Sequence, residues 1–273
     1  MNEPLPAFDG ASAHDVALWD ELPLWSAMAG LLLLDFVPLD VQRVLDVGSG
    51  TGFPALELAE RLGETARVSG IDPWAAATER AAAKRARWPV RNADLVRGDA
   101  AALPFRSGTF DLLVSNLGVN NLARAEAAFA ECHRVLEPGG RIALTSNLVG
   151  HFTELYEAYA QVLAGDAEAL ARLQRHVRDR ATSASLQADL ARAGFTTLRT
   201  EARLQVMRFR DGGALLDHHF QRLGFVDGWR EVAGPERAAD RLAGLRTALD
   251  AKARSAGELA MTVPLEFVLA RRD

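Results

Sequence analysis

The sequence predicts an α/β fold, a doubly wound sheet of mostly parallel strands that carries extra helices. Two observations predict it. Between residues 43 and 146 short apolar runs alternate with stretches of helical periodicity, the pattern of βαβ units with helices on both faces. The first of these runs feeds a turn with three glycines, Gly48, Gly50 and Gly52, and Pro54 opens a helical pattern behind it. Glycines let a backbone take positive φ and approach a ligand closely, because no Cβ intervenes. A chain of 273 residues, 49% hydrophobic and 25% charged, suits one such domain with insertions.

The elements follow in order. Residues 12–39 read as helical and rich in tryptophan, with Pro23 breaking them into two pieces. Arg43–Val47 is a first strand and Pro54–Leu62 a helix with proline in its first turn and Gly63 at its end. Arg67–Ile71 is a second strand ending at Asp72, and Trp74–Arg87 an alanine-rich helix stopped before Pro89. Leu95–Arg97 makes a third strand and Phe110–Ser115 a fourth, apolar throughout as a buried parallel strand requires. A helix over Ala123–Leu136, a turn at Glu137–Gly140 and a fifth strand at Arg141–Ser146 come next.

Beyond residue 147 helices dominate, over His151–Arg192 and Asp211–Gly257, separated by an alternating strand at Thr197–Phe209. Met261–Ala270 is a last strand in which Pro264 predicts a bulge or a later start. No repeat or low-complexity linker interrupts the chain, so residues 1–273 read as a single domain. Within it, 1–40 is an N-terminal helical lid and 41–147 the ligand-binding core. Residues 148–192 and 211–257 form a helical cap, and 197–209 and 261–270 the last two strands.

The glycine turn narrows the ligand. A dinucleotide site wants G-x-G-x-x-G, and counting from Gly48 the third glycine falls at Phe53. No G-K-[ST] follows, which excludes a Walker-type phosphate loop. Asp46, just ahead of the turn, repels a pyrophosphate and attracts a cation. S-adenosylmethionine (SAM) carries an ammonium and a sulfonium, and the D-x-G-x-G-x-G form resembles motif I of class I SAM-dependent methyltransferases. In that motif Asp46, Gly48, Ser49, Gly50, Gly52 and Phe53 surround the cofactor.

Acids also end the next two strands. Asp72 stands 26 residues after Asp46, a spacing that suits a carboxylate accepting bonds from ribose hydroxyls. Asp99 can accept from an adenine amino group while the Ala100 amide meets a ring nitrogen, with Pro73, Trp74 and Leu103 placed to sandwich the base. Three acids at successive strand ends behind a glycine loop seldom arise by chance. Together with Leu103-Pro104-Phe105, Phe110-Asp111 and Leu136-Glu137-Pro138-Gly139-Gly140 they stand in the order of a type-11 methyltransferase. That group includes the ubiquinone/menaquinone-biosynthesis enzymes. The resemblance covers residues 40–147 closely and the rest as a pattern. It implies a Rossmann-like sheet of seven strands whose last runs antiparallel, with SAM over the carboxyl ends of the first strands and Asn116 and Leu117 among its contacts.

Gly50–Pro54 also looks like the loop of small-subunit ribosomal RNA guanine-N7 methyltransferases. The acidic balance, a net charge of -5, counts against that and against nucleic-acid binding in general. Asn-Pro-Pro-Tyr, the motif of amino-group nucleic-acid methyltransferases, is absent as well. The cationic run Lys84-Arg85-Ala86-Arg87 reads as a solvated helix end. The single cysteine, Cys132, falls on the apolar face of a helix and reads as core. No HxE, CxxC or HExxH spacing predicts a metal. Met1-Asn2-Glu3-Pro4-Leu5 lacks a secretion signal, and Met28–Leu34 is too short to span a bilayer, which together predict a cytoplasmic protein.

A sulfonium cofactor supplies the driving force for methyl transfer, so motifs name the cofactor better than the acceptor. Asn120 and Asn121 can position an acceptor, or cap the helix that follows. His151 can act as general base or simply start a helix. His218 and His219 lie on a predicted helix, where neighbours point about 100° apart, so at most one faces the acceptor. Trp25, with Trp19 and Met28, is expected to close over SAM near its methionine end; the alternative is that the tryptophans staple the helix to the core. The expected activity is transfer of a methyl group from SAM to a small molecule. An RNA or protein acceptor, or SAM binding without catalysis, remains open.

Overall fold

The structure, a computed structural model, describes residues 8–21, 24–88 and 90–273; Leu22, Pro23, Pro89 and the first seven residues lie outside them. The described chain forms two compact units. A sheet unit holds Asp9–Asn147, Thr182–Arg203 and Leu265–Asp273, and a helical unit holds Leu148–Ala181 and Leu204–Pro264, with Phe8.

The strands are β1 (Arg43–Val47), β2 (Arg67–Asp72), β3 (Ala93–Arg97), β4 (Phe110–Asn116), β5 (Leu136–Asn147), β6 (Phe195–Phe209) and β7 (Leu259–Arg272), in the order β3-β2-β1-β4-β5-β7-β6. β1 pairs in parallel with β2 and β4, β2 with β3, and β4 with β5. β7 runs antiparallel to β5. The seven-stranded, mostly parallel sheet therefore has the predicted form. Strand order reverses between β1 and β4, and in sheets of this kind ligands bind at the carboxyl ends beside that reversal.

Two helices precede β1, α1 (Ala13–Glu21) and α2 (Leu24–Phe36). The sheet is crossed by α3 (Ala55–Leu62), α4 (Ala75–Arg87) and α5 (Ala125–Val135), with α8 (Ser183–Arg192) leading into β6. α3 buries Ala55, Leu56, Leu58 and Ala59, and each fully buried leucine contributes roughly 1.5–3 kcal/mol. Its last carbonyls are satisfied from outside, since Asn92 Nδ2 donates to Ala59 and Gly63 carbonyls at 2.8 Å each. Cys132 is 4% exposed in the core beside Leu136 and Phe129, and burial pushes its thiol up to about 12, which leaves no nucleophilic thiolate at neutral pH.

The helical unit packs α6 (Thr153–Val162), α7 (Ala167–Arg178) and four helices between β6 and β7: α9 (Gly212–Leu216), α10 (His219–Gly224), α11 (Val226–Ala233) and α12 (Ala238–Ala256). Trp229 is fully buried, and its carbonyl accepts from the Tyr159 hydroxyl at 2.8 Å. Asp166 caps α7 by accepting from the Glu168 and Ala169 amides, and its carboxylate also receives Arg241, which is 5% exposed.

Several boundaries differ from expectation. β3 begins at Ala93. Residues Gly118–Asn121 form a 3-10 turn, which delays α5 to Ala125. The Glu137–Gly140 turn belongs to β5, whose register against β4 shifts between Phe110 and Leu112. Pro54 precedes α3 and does not occupy its first turn. β7 starts at Leu259 and runs through Pro264, while its pairing with β5 begins at Leu265. Among the described residues no single helix is long and apolar enough to cross a membrane.

Candidate active site

The loop after β1 is held onto β2. The amides of Gly48 and Ser49 both donate to the Ile71 carbonyl, at 2.9 and 3.0 Å. Gly48, Gly50 and Gly52 take φ of 78°, 52° and 101°, values that side chains strain to adopt. A Cβ on Gly48 would stand 3.1 Å from Gly118 Cα, and one on Gly118 only 2.6 Å from Ser115 Oγ. The loops after β1 and β4 thus meet at two glycines, and Gly118 was not singled out by its sequence. A Cβ on Gly50 would meet nothing within 4 Å, so this glycine opens a clear face.

The first two acids are buried and oriented by backbone. Asp46 is fully buried, and its Oδ2 accepts the Ala55 amide at 3.1 Å where α3 starts. Its Oδ1 is buried and has no hydrogen-bond partner among the described residues. Burial, with a smaller push from Asp72, drives the carboxyl up to about 8 against the opposing Ala55 bond. Asp72 is 6% exposed; Oδ2 accepts the Gly50 amide and Oδ1 the Trp74 amide, each at 2.9 Å. Burial raises its pKa and the two amides hold the rise back. Asp99 differs. Its exposed carboxylate accepts from the Ala101 amide at 2.8 Å and from Arg124 at 2.6 Å, both of which lower its pKa.

Comparison with known proteins decides what this loop belongs to. The methyltransferase-domain family matches residues 45–144. The biotin biosynthesis bifunctional protein BioHC of Cellvibrio japonicus is 34% identical over 213 residues, which span 76% of this chain and 38% of that protein. Demethylmenaquinone methyltransferase of Lactococcus lactis is 27% identical over 208 residues, 72% of this chain and 78% of that one. A SAM-dependent methyltransferase from Aquifex aeolicus shares the fold at a TM-score of 0.55 and 17% identity, covering 69% of this chain and 91% of that one.

Residues 45–144 are a SAM-dependent methyltransferase domain. SAM is the cofactor of this domain, and the residues present fit it. An unpartnered buried carboxylate oxygen on Asp46 suits a cation. The open face at Gly50 leaves room for backbone approach, and the Asp72 carboxylate has lone pairs left after two amides.

The other predicted contacts of the domain are less uniform. Ser49 Oγ is buried against Gly70 and has no partner among the described residues. Pro73 is exposed and Trp74 is 37% exposed, with its indole packed against Gly10. Leu103 does not frame an open surface: it is 4% exposed inside the core, with Ala100 packed against the same cluster. Asn116 is engaged at both ends of its amide, donating to the Ser26 carbonyl at 2.9 Å and accepting from Thr145 at 2.8 Å. It ties α2 to β4 and β5. Leu117 follows in the left-handed region at φ 61°, a strained conformation of the kind that gathers at functional sites.

α2 lies against β4 and β5, with Trp25 8% exposed and Gly30 in close contact with the Phe53 ring. α1 is fastened differently. Asp20 accepts from the Thr51 hydroxyl and from Arg80 and Lys84, and Lys84 Nζ donates to the Thr51 carbonyl at 3.0 Å. Burial alone would raise the Asp20 pKa, and these bonds outweigh it. Lys84 is therefore not part of a solvated face. The cluster joins residues 60 and 64 positions apart, so no local pattern announces it; the spacing of Arg80 and Lys84 on one helix face is the only trace.

Asn120 does not cap α5, whose N-cap is Arg124. Its amide accepts from Ser146 at 2.6 Å and donates to Asn147 at 2.7 Å, and Asn121 is exposed. In the helical unit His151 lies in a turn ahead of α6, 1% exposed, its ring stacked 3.9 Å from Phe152 and 5.1 Å from Phe225. Burial and the neighbouring Arg180 and His176 hold it well below the usual histidine range. His218 is extended and precedes α10. The helical argument that kept it apart from His219 therefore fails: the two rings lie 4.6 Å apart.

Proposed function

We propose that this chain transfers the methyl group of SAM to a small-molecule acceptor. The observation that carries the reading is the pair of buried, backbone-oriented acids, Asp46 and Asp72, around a glycine loop open at Gly50. SAM supplies an electrophilic methyl group when bound. The chain's own task is to hold the cofactor, align the acceptor nucleophile for in-line attack and exclude water.

In this reading Asp46 faces the cationic end of the cofactor, with Gly48, Ser49, Gly50, Gly52 and Phe53 beneath it. Asp72 holds the ribose; Pro73, Trp74, Asp99 and Ala100 take the adenine; Asn116, Leu117 and Trp25 serve the methionine end. Asn120, Asn121, His218 and His219 serve the acceptor. His151, kept neutral by burial, takes a proton where the acceptor must lose one. The relatives' names, for biotin biosynthesis and demethylmenaquinone methylation, and the net charge of -5 support a small acceptor over nucleic acid. A cytoplasmic location agrees with a single, buried cysteine that needs no oxidising compartment.

Titration calorimetry tests the cofactor step. SAM and S-adenosylhomocysteine should bind with micromolar-order constants, roughly -8 kcal/mol, and NAD should not; tighter binding of NAD would overturn the reading. A metabolite screen with methyl-labelled SAM, read by mass spectrometry, then identifies the acceptor. Transfer only to RNA or protein would reject the small-molecule assignment.

A further inference from the structure

Three polar side chains outside the cofactor site gather around α10, one of them buried and two partly buried. Gln221 is fully buried, and neither its amide nitrogen nor its carbonyl oxygen has a hydrogen-bond partner among the described residues. His218 Nδ1 and His219 Nε2 are also buried without partners among those residues. His218 stands directly before the helix and Gln221 lies within its first turn. The imidazoles are neighbours at 4.6 Å. Helix capping does not account for them, because no side-chain cap bond forms there. Apolar residues of similar shape would serve packing better, since a buried amide with no bond destabilises the fold.

We propose that Gln221, with His218 and His219, recognises the methyl acceptor, a neutral flat molecule whose edge sets a hydrogen-bond donor beside an acceptor, as in a lactam or cyclic imide. The inference rests on the methyl-transfer reading. A carboxamide presents N–H and C=O side by side, and a lactam edge answers both in one paired contact. The imidazoles add one donor or acceptor each, according to tautomer. Burial and the adjacent His219 hold His218 below the usual range, so this imidazole brings no cation to balance an anionic edge. Aromatic rings supply flat neighbours: Phe209 lies 5.6 Å edge-on from His218, and Phe225, one turn after Gln221, stacks with Trp229 at 6.2 Å.

The test uses the full chain saturated with S-adenosylhomocysteine and three bicyclic probes, 2-quinolone, quinoline and 2-naphthoate, followed by ligand-observed NMR titration. We expect 2-quinolone to bind about tenfold more tightly than either of the others. Gln221→Leu should abolish that preference and raise the melting temperature of the ligand-free protein, and Gln221→Met should repeat both effects if the leucine variant folds poorly. Equal binding of 2-quinolone and quinoline, or an undiminished preference in the folded variants, would overturn the proposal. Calorimetry of S-adenosylhomocysteine on the same samples separates the two levels. A chain that fails to bind it defeats the methyl-transfer reading, whereas one that binds it and shows no 2-quinolone preference defeats this inference alone.

Discussion

Asp72 ends β2, and Asp99 follows β3 one strand further out. Asp72 is 6% exposed and gripped by two backbone amides. The Asp99 side chain is 57% exposed and leans on Arg124. The two acids occupy equivalent places in the chain, and the sheet makes them different. β2 lies between β1 and β3, so the glycine loop folds over its end and fixes the carboxylate; β3 is an edge strand. A fixed carboxylate costs little reorganisation on binding, whereas a solvated one must first give up water and a partner. Effects on cofactor binding should therefore fall steeply from Asp72 to Asp99.

Asp72→Ala is the strongest way to break this contrast. Losing a charged, pre-oriented hydrogen-bond acceptor should weaken S-adenosylhomocysteine by about 1.5–3 kcal/mol, roughly 10- to 150-fold, in calorimetry. If affinity stays unchanged while the melting temperature drops, Asp72 belongs to the loop's structure and not to the ligand.

Asp46 sharpens the comparison from the other side, because its carboxyl is raised and not merely held. In the folded chain it keeps its proton up to about pH 8, whereas the unfolded chain loses it near 3.8. Between those values the folded state binds more protons at Asp46, so this carboxyl's contribution to the stability of the ligand-free protein falls as pH rises, by at most about 1.4 kcal/mol per pH unit. The buried His151 and the partly buried His176 act in the opposite sense below their unfolded value of 6.5. Asp46→Asn should flatten that slope in melting curves from pH 5 to 8. Saturating SAM should flatten it too, if a cation meets the carboxylate. An identical slope in the asparagine variant would place the pH dependence elsewhere.

Much of this was legible in the sequence because it is local. The glycine loop, the acid ahead of it and the acids at successive strand ends are spacings within two consecutive βαβ units, and the strands appeared close to where they fold. What could not be read depends on partners brought from afar. Asp20 meets Lys84 across the glycine loop, Asn120 meets Ser146 and Asn147, and Asn92 closes α3; no periodicity encodes such pairs. Leu103 followed an acid, as a base-framing residue would, yet its burial among Phe110 and Leu136 was decided by packing. One residue of helix boundary turned His218 and His219 from rings expected to point apart into adjacent ones.

The N-terminal helix offers a smaller effect. Asp20 joins α1 to Thr51 of the loop and to Arg80 and Lys84 of α4. Removing it with Asp20→Ala should raise limited proteolysis within residues 9–36 about fivefold, the change expected when local opening becomes easier by about 1 kcal/mol. SAM should protect the wild type if α1 and α2 act as a lid. Cleavage that is insensitive to both the variant and the ligand would leave Trp19 and Trp25 as packing residues alone.

Asp99→Asn should have the least effect, at most about threefold on S-adenosylhomocysteine affinity, because exposed ion pairs contribute little. Its carboxylate is held low by the Ala101 amide and then Arg124, so it stays ionised at neutral pH and can accept a bond from an adenine amino group without first losing a proton. The base itself can be varied. S-inosylhomocysteine replaces that amino group with a carbonyl, which would face the carboxylate with a second acceptor. Wild-type protein should bind it more weakly than S-adenosylhomocysteine, and Asp99→Asn should narrow the gap, since an asparagine can turn its amide to donate. The same gap in both proteins would mean that Asp99 does not read the base. A loss in Asp99→Asn as large as in Asp72→Ala would show instead that the edge strand holds its acid as firmly as the inner one does, and the contrast between the two strand ends would fall.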